Sequence, residues 1–109
     1  MSATTLVVFT TCATPEEAKR LAAELVEQRL AACVNTLGGV LSTYRWQGAV
    51  QQEQECLLVI KTTDARFPAL EQLIRERSSY ELPEVLAIPV HGGSERYLDW
   101  LGAAVTVEE

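Results

Sequence analysis

The chain of 109 residues holds a single histidine, His91, and three cysteines, Cys12, Cys33 and Cys56, with no Cys-x-x-Cys spacing. Structural zinc and copper centres need several convergent nitrogen or sulfur ligands, which this inventory does not supply, so no metal is expected to be required for folding. The same scarcity leaves no Ser-His-Asp or Cys-His arrangement to assemble, and an enzyme is not expected. Positive charge is also short: nine Lys and Arg against fifteen Asp and Glu leave a net charge of -6. Affinity for nucleic acid rests on a basic face, so nucleic acid is not an expected partner. No apolar run approaches the roughly 20 residues that cross a bilayer, which speaks against membrane insertion. The N-terminal Met-Ser-Ala-Thr-Thr has no basic stretch before its first apolar run, unlike a secretory leader. An odd cysteine count fits a reducing compartment, and the cytoplasm is the expected location.

What is present suffices for one domain over residues 1–109, because a chain of this length with 48% hydrophobic residues buries a modest core. Leu6 to Phe9 reads as a short strand buried on both faces. Thr14-Pro15-Glu16-Glu17 reads as a helix start, with Thr14 as cap and Glu17 as the second half of a capping box. Leu21, Ala22, Leu25, Val26 and Leu30 then share one stripe that lays the helix on a sheet. From Ala31 to Thr62 the pattern is extended, interrupted by Gly38-Gly39 and turning near Gln47-Gly48, so each arm of this ribbon has about 14 to 16 residues where strands average five or six. Apolar Val40, Leu41, Tyr44, Trp46 and Val50 on so long a projection call for a second subunit to cover them, and a homo-oligomer is expected. A second helix is expected from about Asp64, with Pro68 in its first turn and Leu70, Leu73 and Ile74 buried, ending before Ser78-Ser79. Val85 to Val90 is the last strand, and Ser94 caps a terminal helix that buries Tyr97, Leu98, Trp100 and Leu101. The order is that of a split βαβ fold: α+β, ferredoxin-like, an antiparallel sheet with helices on one face, a long β2-β3 hairpin and an added C-terminal helix.

That topology sets the first and third strands in the middle and the last strand beside the first, antiparallel to it. The end of strand one, near Thr10 to Cys12, then lies by the start of the last strand, near Tyr80 to Glu84, and by Glu53 and Glu55. His91 falls at the other end and shares no site with Cys12 within one subunit. Cys12, placed in a loop, is either a soft ligand for copper or zinc or a small residue packed like a hydrophobe. Cys33 and Cys56 read as core residues between apolar neighbours. Glu81 and Glu84, with Glu55, form either an oxygen-rich site for a hard or borderline cation or a solvated rim. Tyr44, Trp46 and Tyr80, near Lys61, either line a pocket between subunits or pack an interface.

Three segments, Arg29-Leu30-Ala31-Ala32-Cys33-Val34-Asn35, Tyr44-Arg45-Trp46-Gln47-Gly48 and Tyr80-Glu-Leu-Pro-Glu-Val-Leu-Ala-Ile-Pro-Val90, stand in an order and spacing that resemble the CutA family of divalent-cation tolerance proteins. The resemblance runs from about Leu6 to Leu101. It implies a homotrimer joined through the ribbons, a response to metal ions, and binding of copper or another divalent cation. Family members in which copper binding is discussed carry a histidine just before the tyrosine of the last-strand entrance and a cysteine near the end of strand one. Arg77, Ser78 and Ser79, and Thr10, occupy those places here, so the resemblance implies a weak site at Cys12, Glu81 and Glu84. An alternative is a signalling module like the PII proteins, which share the fold, binding a small metabolite in inter-subunit clefts at Tyr44, Trp46, Lys61 and Tyr80 and reporting to a partner protein.

Overall fold

Thr14 starts the first helix as its sequence dictates: its Oγ1 accepts the Glu17 amide at 3.2 Å, and Pro15 occupies the first turn, where no amide is needed. The computed structural model describes residues 3–107. Its elements are β1 (Thr5–Cys12), α1 (Pro15–Glu27), β2 (Cys33–Trp46), β3 (Ala49–Thr63), α2 (Phe67–Arg77), β4 (Leu86–Pro89) and α3 (Glu95–Ala104). The strands form one antiparallel sheet in the order β2-β3-β1-β4, the ferredoxin-like arrangement that the sequence implies.

β1 is longer than the apolar run suggests and is not buried on both faces. Burial alternates along it, with Leu6, Val8, Thr10 and Cys12 inside and the odd-numbered residues half-covered. On the buried side these residues, with Cys56, Leu58 and Ile60 of β3, meet Ala18, Leu21 and Leu25 of α1 and Leu70, Leu73 and Ile74 of α2 in one core. The helical stripes account for that packing except at Val26, which is 42% exposed. α1 and α2 lie on this face, and the odd-numbered residues of β1 look to the other.

α1 ends in a Schellman motif. The Leu30 amide reaches the Leu25 carbonyl at 2.9 Å and the Arg29 amide reaches the Val26 carbonyl at 3.1 Å. Arg29 takes the left-handed conformation there, φ 57°, a place usually given to glycine. Leu30 is turned into the core against the helix it has just left. Arg29 also donates to the Ala104 carbonyl at 3.2 Å, and its own carbonyl accepts from Arg66 at 3.2 Å, which ties the α1 exit to α2 and α3.

The ribbon arms measure 14 and 15 residues and meet at a two-residue turn, Gln47 and Gly48, both at positive φ. The register shifts between Leu37 and Val40, with Gly39 at φ +68°, the mark of a glycine β-bulge. α3 departs from its expected stripe. Ser94 caps it, accepting from the Tyr97 amide at 3.4 Å, but only Leu101 of the four anticipated residues is fully buried. Tyr97 and Trp100 are about half exposed and pack on each other, ring centroids 5.5 Å apart. The helix lies at the edge of the core and not on it.

Candidate functional site

An open cleft of about 960 Å³ lies between the projecting half of the ribbon, up to Trp46 beside its tip, and the segment that enters β4. Its floor is the outward face of the sheet, where Thr11 of β1 and Glu53 and Glu55 of β3 point away from the helices. One wall is Tyr80 to Glu84, the other Tyr44 and Trp46. The bulge is what brings the aromatics there. Before it, odd-numbered residues of β2 share the outward face, as Leu37 opposite Leu57 does; after it the even-numbered ones do, as Val40 opposite Glu55 does. The extra residue therefore turns Tyr44 and Trp46 onto the side of Glu53 and Glu55.

Two hydrogen-bonded ties hold the β4 entrance against the floor. The Tyr80 hydroxyl donates to Glu55 Oε2 at 2.5 Å, and the Ser79 hydroxyl donates to Glu17 Oε2 at 2.7 Å, with the Ser79 amide on Glu17 Oε1 at 3.3 Å. Next to these, Arg77 grips both carboxylate oxygens of Glu24 at 2.9 Å, fastening the end of α2 to α1. The fork holds the Glu24 carboxyl below its usual range, chiefly through the hydrogen bond and secondarily through charge.

Four carboxylates, Glu53, Glu55, Glu81 and Glu84, line the cleft, and among the described residues no Lys, Arg or His does. The field registers on the phenols. Partial burial, then Glu55, pushes the Tyr80 hydroxyl up, and burial followed by Glu53 does the same to Tyr44. Such a cleft repels an anionic phosphate and attracts cations. Among the described residues no three His, Cys, Asp or Glu side chains converge to ligate one ion, so the donor set suits a cation that keeps most of its water.

Of the residues singled out from the sequence, Glu81, Glu84, Tyr44, Trp46 and Tyr80 are brought together here. Cys12 is not. It is the last residue of β1 rather than a loop residue, 1% exposed, and it faces the helices on the opposite side of the sheet. Burial first, then Glu17, Cys56 and Glu55, pushes its thiol up to about 12, which disfavours the thiolate that a metal would require. Lys61 also lies elsewhere, opposite Val7 and Cys33 at the far end of the sheet, with its ammonium on Asn35 Oδ1. Cys56 is core, as expected, but Cys33 is only half-buried, on the outward face. His91 follows β4 at the end where the Val90 amide meets the Thr5 carbonyl, away from the cleft. The sequence reading brought the Thr10 to Cys12 end of β1 here, which includes Thr11, but did not point to Ser42, Thr43, Gln51 or Ser79 as lining residues. Alternation from Glu53 and Glu55 through the bulge would have found Ser42; Ser79 is set by its bond to Glu17, which no spacing announces.

The model of the CutA1 divalent ion tolerance protein family matches residues 6–104. The chain is 47% identical over 95 residues to the divalent-cation tolerance protein CutA of Thermus thermophilus, a match covering 87% of this chain and 92% of that one. It is 43% identical to the chloroplastic protein CutA 1 of Oryza sativa over 88% of this chain, spanning about half (54%) of that longer relative. The solved structure of the divalent cation tolerance protein (Cut A1) from Thermus thermophilus superposes with a TM-score of 0.90 at 45% identity, covering 92% of this chain and 97% of that one.

Proposed function

Because the chain belongs to the CutA1 divalent ion tolerance family, we propose that it serves divalent-cation tolerance as a homotrimer that binds cations weakly in its acidic cleft, and that it is a binder and not an enzyme. The observation that carries this reading is the cleft itself, where the described residues set four carboxylates and no basic side chain around one opening. Glu55, Glu81 and Glu84 would hold the ion through oxygen, partly across water, and such a site is of low affinity and discriminates little among hard and borderline cations. Copper falls within that range without a sulfur ligand.

The trimer is supported by exposed apolar residues on the sheet face opposite α1 and α2. Leu86 and Ile88 of β4 are 60% and 53% exposed, Leu37 of β2 is 46% exposed, and by register they share that face with Val7, Phe9, Leu57 and Val59. A patch of this kind, continuous across four strands, calls for a protein partner, and a head-to-tail contact that closes after three copies would cover it. The ribbon, which extends the molecule to 45 Å along its longest axis, supplies reach to a neighbour. The described residues include no helix long and apolar enough to cross a membrane, and we place the protein in the cytoplasm on the strength of its three unpaired cysteines.

Calorimetric titration of the reduced protein with copper(II), zinc and magnesium tests the reading, with oligomer mass measured in the same buffer. Binding of one ion per subunit, weakened in Glu55→Gln and Glu84→Gln and unchanged in Cys12→Ala, is expected. An intact oligomer that gives no cation-dependent heat ends the proposal. Loss in Cys12→Ala alone would move the site to sulfur.

A further inference from the structure

Cys12 and Cys56 are direct cross-strand partners in the β1/β3 ladder, the last pair in the register. Both are free, both are buried (1% and 4% exposed), and both face the helices. We infer that they form a reversible dithiol/disulfide site whose oxidation state is transmitted through the sheet to the cleft on its other face. This lies beyond the cation-binding reading and does not depend on it.

The geometry follows from the ladder. The Asp64 amide bonds to the Thr4 carbonyl at 2.9 Å, which extends the register of Thr5 with Thr63 and makes the even-numbered residues of β1 hydrogen-bonded partners of β3. Cys12 and Cys56 therefore form a hydrogen-bonded pair, for which the Cα atoms stand about 5.5 Å apart, within the range of about 4.4 to 6.8 Å that a disulfide accepts. Their Cβ atoms must still draw together, so the bond is strained, and strained disulfides are the readily reduced ones. The place is suited to that movement. Cys12 ends β1, and the ladder has no further pair beyond it to resist the two strand ends closing.

The consequence lies one residue away on each strand. Thr11 precedes Cys12 and Glu55 precedes Cys56; both point out of the opposite face into the cleft, and Glu55 holds the Tyr80 hydroxyl. Closing the sulfurs turns both strand ends and shifts the Glu55 carboxylate against Tyr80. Cys33 is an internal control: its register partner is Lys61, on the outward face, so it has no cysteine to pair with.

The reaction consumes an oxidant of the low-molecular-weight disulfide class. One cysteine thiolate attacks that disulfide, forming a mixed disulfide and releasing one small thiol. The second thiolate then displaces the other, so two protein thiols and one small disulfide become one protein disulfide and two small thiols. Burial, which disfavours the Cys12 thiolate as described above, makes the attack slow and dependent on opening of the end of β1.

The test exposes the folded, assembled protein to oxidised glutathione, quenches, alkylates under denaturing conditions and maps peptides without reduction. The expected result is loss of two of the three alkylatable thiols, a linked Cys12–Cys56 peptide, and full recovery with dithiothreitol. Cys33→Ser should behave like the parent in this respect. In a Trp100→Phe background, Trp46 fluorescence should change on oxidation and return on reduction, and Cys56→Val should abolish both responses. The linked peptide is read from the unmutated chain, so the assignment does not hang on the folding of a variant. Three thiols still alkylatable after prolonged exposure, or oxidation confined to Cys33, would overturn the site. A linked peptide with unchanged Trp46 emission would overturn its transmission to the cleft.

Discussion

The Tyr80 hydroxyl donates to Glu55 Oε2 at 2.5 Å across 25 residues of sequence, joining the entrance of β4 to the floor of the cleft. The bond exists because β1 and β3 run antiparallel through the middle of the sheet, while the loop after α2 crosses the end of β1 on its way to β4. It fixes the orientation of one of the carboxylates assigned to the cation.

Tyr80→Phe removes that tie and should cost about 1 kcal/mol in a urea unfolding curve, a discounted value for a charge-assisted bond in a half-open site. The pH dependence has a definite sign. Burial and Glu55 raise the phenol of the folded state above the ordinary tyrosine value of about 10. The stabilisation is therefore complete below about pH 10 and is lost as pH rises through the folded-state value. The gap between parent and variant should be level from pH 7 to 9, by about the same 1 kcal/mol, and close in stronger alkali. A gap that closed on acidification from pH 7 to 6 would refute the assignment.

Ile88→Glu sets a charge on the edge strand of the open sheet face, beside Val7, where a neighbouring subunit is proposed. Sedimentation should show the assembly dissociating to monomers at micromolar concentration, while far-ultraviolet dichroism is retained. The same substitution on a face that solvent alone covers leaves the mass unchanged, and that outcome would remove the trimer.

Gln47 sits at φ 51° beside Gly48 at φ 82°, the two-residue turn that asparagine followed by glycine suits best. Gln47→Asn should raise stability by about 0.5 kcal/mol, because asparagine tolerates the left-handed conformation better. A rise in the urea midpoint with an unchanged slope is the signature to look for.

Thr14→Ala removes the acceptor from the Glu17 amide and should cost about 1 kcal/mol. Its effect on cation titration is the more useful reading. Glu17 holds Ser79 through its side chain, so loosening the first turn of α1 should weaken cation binding, while Thr106→Ala, whose hydroxyl bonds the Gly102 carbonyl away from the cleft, should not. Equal cation affinity in both would detach α1 from the cleft.

The elements and their order follow from local sequence patterns. Thr14 with Pro15, the stripes of α1 and α2, and a ribbon of two long arms are local patterns, and local chemistry settles them. The order of elements also implies that the β4 entrance and the β3 carboxylates meet, since crossover handedness leaves few alternatives. Which face each side chain took depended on the assembled sheet. Cys12 continues the alternation of β1 into the core, where a loop residue would have been free to join the cleft. The bulge at Gly39 inverts the alternation of β2 and sends Tyr44 and Trp46 toward the carboxylates. Tyr97 and Trp100 stay out because α3 packs at the edge of the core with only Leu101 and Val105 inside. Side-chain facing in a strand has a period of two, so one residue more or less, invisible to composition, exchanges core for site.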